Sequence, residues 1–396
     1  MTSFNLQKFF LDIFAPRKNE KVLFLLDMPT KDNPDNEEWR DRRRMAIRWY
    51  STLKEMATKL NINILPMAFY SATGANNAPL PSKGTVNNIE KPMRDIIKRA
   101  TLCIAMTEFS ATAPLVTYGR EFPRLRSASM PGVAPRMEKT ALSADYSKVY
   151  ERAHILAQKL TLAESARVLW STDQEFLFDL RFRKGEADDG RLPPNLPPEN
   201  PRLINLPSGE AYIAPYEGEH EGKVSLTAGE IPVLKKGELF TFIVKENRII
   251  DIQGDGPEAN HFKQYFKKHC PICGNIAELG LGCNEKAVLW GNILEDEKVM
   301  GLHLAYGRSE HIGGRVGPEA FPEGMVIHED IIYAKGTDPD SPYVAELTLM
   351  TPDGKEELIL QNGEYTLKEH CFKIPEAHGW RKDINGFLRR LKRKGY

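Results

Sequence analysis

The sequence predicts an α/β protein with a doubly wound N-terminal α/β domain over residues 1–165. A mixed α+β domain over residues 166–396 follows, with the candidate metal ligands and a C-terminal extension. Three observations lead there. Apolar runs alternate with helical stretches as far as Met106, the rhythm of strand–helix–strand units. After Leu169 the pattern shifts to short strands and tight turns. Between Asn275 and Tyr333, acids and histidines interrupt segments that are otherwise apolar. A length of 396 residues suits two domains, each able to bury its own core.

The opening MTSFNLQKFFLDIF offers Phe4, Phe9, Phe10, Ile13 and Phe14 for one face of an amphipathic helix. It has no basic leader region and no cleavage site, so no signal peptide is expected. Lys21–Asp27 (KVLFLLD) is a continuous apolar run ending in an acid, as in a strand buried on both faces. A loop (DMPTKDNPDN), a helix over Glu37–Leu60 and a strand over Asn61–Met67 follow. A helix near Met93–Arg99 and a third strand over Thr101–Met106 complete the alternation. Asp27 and Glu108 fall where such sheets place ligands, although solvated loop acids are the simpler reading. The run Arg40, Arg42, Arg43, Arg44 reads as a solvated or partner-facing helix surface.

A helix is expected over Tyr150–Thr161, then strands over Arg167–Ser171 and Glu175–Phe182. Leu192–Arg202 is too proline-rich for regular structure and reads as a surface connection. In NLPSGEAYIAP, Pro207 and Gly209 shape a turn that presents Glu210 just before a short strand. Lys223–Thr227 and Leu239–Gly254 are expected in an antiparallel sheet, Glu258–His269 as a helix. Tyr343–Met350 and Glu357–Gln361 form a hairpin turning at Pro352–Gly354. The tail sets Arg381, Lys382, Arg389, Arg390, Lys392, Arg393 and Lys394 around Phe387 and Leu391, as a basic helix that is docked or frayed.

Formal net charge is zero, with 27% charged and 41% hydrophobic residues, so nucleic acid is not the expected partner. No stretch approaches the roughly 18 apolar residues of a membrane span. Five cysteines, an odd number, favour a reducing and cytoplasmic setting. Cys270-Pro-Ile-Cys273 lacks the second pair a structural zinc site needs, so these residues are read as reduced thiols.

Glu278, His303, His328 and Asp330 each sit among aliphatic residues. One such residue is usually a hydrogen-bonded core group. Several together suggest a shared cation, because buried charges are normally paired or metal-bound. In a strand over Val326–Tyr333, His328 and Asp330 share a face and Glu329 points the other way. In a strand over His303–Gly307, Ala305 and Gly307 leave room beside the imidazole. A helix over Asn292–Met300, stopped by Gly301, would deliver Glu297 near His303. Imidazole and carboxylate ligands suit zinc, cobalt, manganese or iron alike.

The series NLPSGEAYIAP, NIAELGLGCN, EDEKVMGLHLAYG and H-x-D resembles the aminopeptidase T and aminopeptidase S family of metallopeptidases, especially its leucyl-aminopeptidase-like branch. The likeness runs from about Leu169 to Tyr333. It implies two domains, two divalent ions, a homodimer, and removal of N-terminal residues from a peptide or similar small substrate. It also assigns Glu210, Glu278, Glu297, His303, His328 and Asp330 as metal ligands, with Glu278 bridging. Glu297 is in addition the candidate proton acceptor. Where the family has a tyrosine beyond the histidine motif, this chain has Ser309, Glu310 and His311, with Tyr306 or Tyr333 as substitutes. The fold is also similar to that of iron-dependent ring-cleaving dihydroxypyridine dioxygenases, so an iron oxygenase is the alternative activity. A non-catalytic metal-binding relative is a third.

Overall fold

The strand Lys21–Met28 lies in the middle of a mostly parallel sheet, as its unbroken apolar run requires. Alternate residues go to opposite faces: Val22, Phe24 and Leu26 join one apolar cluster, Leu23 and Leu25 another. The computed structural model describes residues 4–195, 202–334 and 340–367, so the basic tail from Arg381 lies outside the described residues. The chain divides into two units, each assembled from several segments. The first takes Met1–Arg152, Asp188–Gly209 and Asn284–Lys298; the second takes Ala153–Ala187, Glu210–Cys283 and Val299–Tyr396.

In the first unit the sheet runs Leu203–Asn205, Arg126–Ser129, Leu102–Ala105, Lys21–Met28, Ala68–Ser71, Lys83–Val86, Ile89–Pro92. The first five are parallel, and the last two form an antiparallel hairpin that joins through Lys83–Val86. The strand expected over Asn61–Met67 is instead Asn63–Ile64, with a separate strand Ala68–Ser71 after it. Pro66 explains the break, since it has no N–H for the ladder. Helix Glu37–Leu60 starts at Asn36, whose side chain accepts from the Trp39 N–H, and ends at Asn61 in the left-handed region. It buries Trp39, Met45, Trp49, Leu53 and Met56. Each such side chain contributes about 1.5–3 kcal/mol by leaving water.

The N-terminal helix Leu6–Phe14 buries Leu6, Phe9, Phe10, Ile13 and Phe14 in the same cluster, with Phe9 edge-on to Trp49. Its apolar face is therefore covered within its own unit. Asp27 is not a solvated loop acid. It is fully buried and accepts from the backbone N–H groups of Glu108 and Phe109 and from the Trp39 indole. Arg42 is buried too, donating to the Val133 carbonyl and pairing with Glu108, so the arginine run is only partly a solvated surface.

The second unit packs two sheets around one core. The smaller runs Glu186–Asp188, Glu210–Ile213, Ile276–Gly282, Gly301–Gly307, His328–Tyr333. The larger runs Arg248–Gln253, Glu238–Lys245, Ala228–Lys235, Glu175–Asp179, Ser165–Trp170, Val344–Met350, Glu356–Gln361, Glu364–Tyr365. Leu279, Leu281, Leu302, Leu304 and Tyr306 from the first meet Phe176, Phe178 and Phe242 from the second. Trp170 and Tyr333 pack against each other across them, ring centroids 4.2 Å apart and tilted by 36°.

Three expectations are corrected here. Lys223–Thr227 is not a strand, because Leu226 N–H bonds the Asp179 carboxylate and Thr227 N–H bonds the Ser225 hydroxyl. The helix expected over Glu258–His269 is α-helical only over Pro257–Gln264 and then widens into a π-turn at Tyr265–His269. Cys270 and Cys273 are disulfide-bonded rather than reduced, the 3-10 turn Pro271–Gly274 bringing their Cα atoms to 5.3 Å.

Asp27→Ala strands two backbone donors and an indole N–H in an apolar interior. We expect a loss of about 2–4 kcal/mol, read as a lower denaturant midpoint.

Candidate metal centre

The small sheet has one face in the core and one face that is polar, and strand register determines which residues meet there. Leu279 and Leu281 turn into the core, so Glu278 and Gly280 face the other way. Leu302, Leu304 and Tyr306 likewise leave His303, Ala305 and Gly307 opposite. Glu278 pairs with Ala305, which pairs with Asp330; Gly280 pairs with His303; Gly307 pairs with His328. Glu210 opens its strand opposite Gly282. The charged residues thus share one face with glycines and an alanine between them.

Two groups result. Glu210, Glu278 and His303 offer ligand atoms all within 4.8 Å of one another, as do Glu278, His328 and Asp330. His303 Nε2 lies 3.3 Å from Glu210 Oε2 and 3.4 Å from Glu278 Oε1. His328 Nε2 lies 3.1 Å from Glu278 Oε2 and 3.8 Å from Asp330 Oδ1. Glu278 therefore has one oxygen towards each imidazole and belongs to both groups. The first group is buried, while His328 and Asp330 are half-buried. His328 Nδ1 donates to the Arg308 carbonyl at 2.7 Å, which leaves Nε2 as the nitrogen facing the carboxylates.

Burial alone would push the Glu278 carboxyl up, but hydrogen bonds and charge from His303 and His328 hold it well below the usual range. Burial would lower both imidazoles. For His303 the Glu278 hydrogen bond and the Glu210 and Glu278 charges outweigh this, giving about 9. For His328 the Asp330 charge and the Glu278 contact raise it to about 10. Three carboxylates in this small volume thus draw positive charge onto their neighbours. The donor set of oxygen and imidazole nitrogen without thiolate fits a hard or borderline divalent ion.

Gly280 was not singled out from sequence. A Cβ there would sit 1.9 Å from His303 Nε2, so the imidazole lies directly over the glycine. The signal is cross-strand and needs the register to be seen. His311 is also close, its ring edge-on to His328 at 4.9 Å. The substitutes for the family tyrosine are engaged elsewhere: Tyr306 donates to Glu329 and Tyr333 to the Pro232 carbonyl at 2.9 Å. Glu329 also lies 3.8 Å from Lys235 and is in neither ligand group.

Glu297 is in neither group as well. It belongs to the first unit, where its carboxylate is 2.7 Å from the Lys298 ammonium. The helix expected over Asn292–Met300 is only Ile293–Asp296. Asp296 accepts from the Trp290 and Gly291 N–H groups, Glu295 from the Trp290 indole, and Lys298 turns its ammonium to Asp188 at 3.2 Å. Side chains expected on a helix surface instead bind the loop before it.

No family model matches the chain, and no curated protein matches it. Among solved structures, 2,5-dihydroxypyridine dioxygenase from Pseudomonas putida is similar at a TM-score of 0.58 and 15% identity, over 93% of this chain and 99% of that one. AmpT from Thermus thermophilus is similar at a TM-score of 0.52 and 12% identity, over 91% and 99%. At these identities the likeness is one of fold, and it extends over nearly the whole of both neighbours.

Gly280→Ala forces His303 off its position. We expect metal binding to fall at least about tenfold with the fold retained, measured by equilibrium dialysis and circular dichroism, as for loss of a supporting group around a metal. Glu329→Gln, on the opposite strand face, should bind as wild type does.

Proposed function

We propose that the protein is a metal-dependent hydrolase, an aminopeptidase releasing N-terminal residues from peptides at a dinuclear centre. The observation that carries this is the membership of Glu278 in both ligand groups, one oxygen turned to each. Two groups of three ligand atoms, sharing only Glu278, offer a place for one ion each.

Glu210, Glu278 and His303 would hold one ion, Glu278, His328 and Asp330 the other. Bound there, the ions would supply Lewis acidity towards a carbonyl and would lower the pKa of water from 15.7 to roughly 7. The chain's own part is geometric: the Arg308 carbonyl fixes the His328 ring, and Gly280 admits the His303 ring. Glu297 is proposed as the group that takes a proton from water and returns it to the leaving amine. The family resemblance in its motif supports that role. A homodimer rests on the resemblance alone.

The second reading is a ring-cleaving oxygenase with one ferrous ion. The dioxygenase neighbour, with the higher of the two TM-scores, supports it.

Purified protein should hold two divalent ions per chain and release free amino acid from a peptide library, with activity abolished by chelator and restored by metal. One ferrous ion with oxygen consumption on a dihydroxylated ring, and no new amine, would instead establish the oxygenase. Glu278→Gln should cause the largest loss of metal among single ligand changes. Glu297→Gln should keep both ions and lower kcat by about 10²–10⁴-fold, the contribution of a general acid–base. Unchanged kcat would remove Glu297 from the mechanism.

A further inference from the structure

Behind the His328 half of the centre lies a buried carboxylate that the sequence reading left unmarked. Glu217 follows the strand Glu210–Ile213 in the loop Ala214–Tyr216–Glu217, and its side chain is 4% exposed. Its Oε1 accepts from Asn275 Nδ2 at 2.9 Å and from the Ser309 hydroxyl at 2.6 Å. Its Oε2 accepts from the Arg315 backbone N–H at 2.5 Å and faces the Arg183 guanidinium at 3.4 Å. Every one of these partners is a donor. Only a carboxylate, which accepts at all its lone pairs, satisfies them together.

The partners lead to two ligand-bearing elements. Asn275 immediately precedes the Glu278 strand and also donates to the Gly307 carbonyl at 3.0 Å, while Gly307 N–H returns to the Asn275 carbonyl at 2.7 Å. Ser309 and Arg315 lie at the two ends of one loop. The Ser309 hydroxyl accepts from Val316 N–H at 3.2 Å, and a Cβ at Gly314 would come within 2.2 Å of that hydroxyl oxygen. Arg308, the residue before Ser309, bonds Ile327 through its N–H at 2.8 Å and His328 Nδ1 through its carbonyl. Glu217 thus ties the start of the Glu278 strand to the loop that sets the His328 ring.

We infer that Glu217 is a positioning residue for the Glu278–His328–Asp330 half of the centre. It fixes the Ser309–Arg315 loop so that the Arg308 carbonyl holds His328 Nε2 towards Glu278. This rests on the metal reading above. The network reaches a ligand ring through the Arg308 carbonyl on His328 Nδ1, so its effect falls on that ion first. Glu217→Gln keeps the volume but must point an amide N–H₂ at groups that are themselves donors.

Metal-free wild type and Glu217→Gln are titrated with Co²⁺, following bound metal by equilibrium dialysis and the visible absorption of each equivalent. The second equivalent should bind about 10–100-fold more weakly in the variant, the usual effect of removing a partner that orients a metal-ligating histidine. The first should keep its affinity and spectrum. Arg315→Ala should match wild type, because the bond to Glu217 uses the backbone N–H. Two equivalents unchanged in Glu217→Gln overturn the inference, and so does equal weakening of both. If that variant does not fold, Ser309→Ala decides by the same readout: a weakened second equivalent supports the inference, an unchanged one refutes it. Wild type that binds no Co²⁺ would instead refute the metal reading, and this inference with it.

Discussion

A carboxylate inside an apolar strand must have its charge met nearby, and the polar face of the small sheet is organised around that demand at Glu278. Its strand is buried along its whole length, with leucines alternating onto the core side. The charge is met by imidazoles from the adjacent strand and from the strand beyond it, one at each oxygen. For the rings to reach it, residues between them must be small, which is the part played by Gly280, Ala305 and Gly307. Core packing on one face and charge on the other are thus two results of one alternation.

Much of this was legible from residues alone. The run KVLFLLD announces a strand covered on both sides, and the split of Val22, Phe24 and Leu26 from Leu23 and Leu25 into separate clusters is that property realised. Glu278, His303, His328 and Asp330 stand out because charge interrupts aliphatic sequence. What sequence hides is whatever depends on who sits across a ladder. Gly280 looks like any strand glycine until the register puts His303 over it. Glu217 looks like one more acid in a Glu-rich loop until its four donors are seen together. The strand Ala228–Lys235 carries Pro232 in its interior, and the carbonyl of that proline is what Tyr333 uses.

Two of the misread segments, Lys223–Thr227 and Asn292–Met300, involve acids bonded to nearby backbone. Short polar side chains close to the backbone took the hydrogen bonds that regular structure would have used. Asp179 draws the Leu226 N–H away from any ladder, and Asp296 holds the Trp290 and Gly291 amides of the loop before the short helix Ile293–Asp296. Asp27 does the same at the end of its strand, holding two amides and an indole. An acid at a strand's carboxyl end can serve a ligand or serve the loop beside it, and composition does not distinguish the two.

The first unit closes only when three separated segments are present, the last of them Asn284–Lys298. During synthesis, the strand Lys21–Met28 and its neighbours leave the ribosome long before Leu203–Asn205, which pairs with Arg126–Ser129 in the sheet. Until then the N–H and C=O groups on that side of Arg126–Ser129 remain available to other chains. Glu210 and Glu278 are also translated before Asn284–Lys298 emerges, so the nascent polypeptide contains candidate ligands from the second unit while the first is still incomplete. Neither unit can be released by a single cut, and fragments made for expression would have to respect that interleaving.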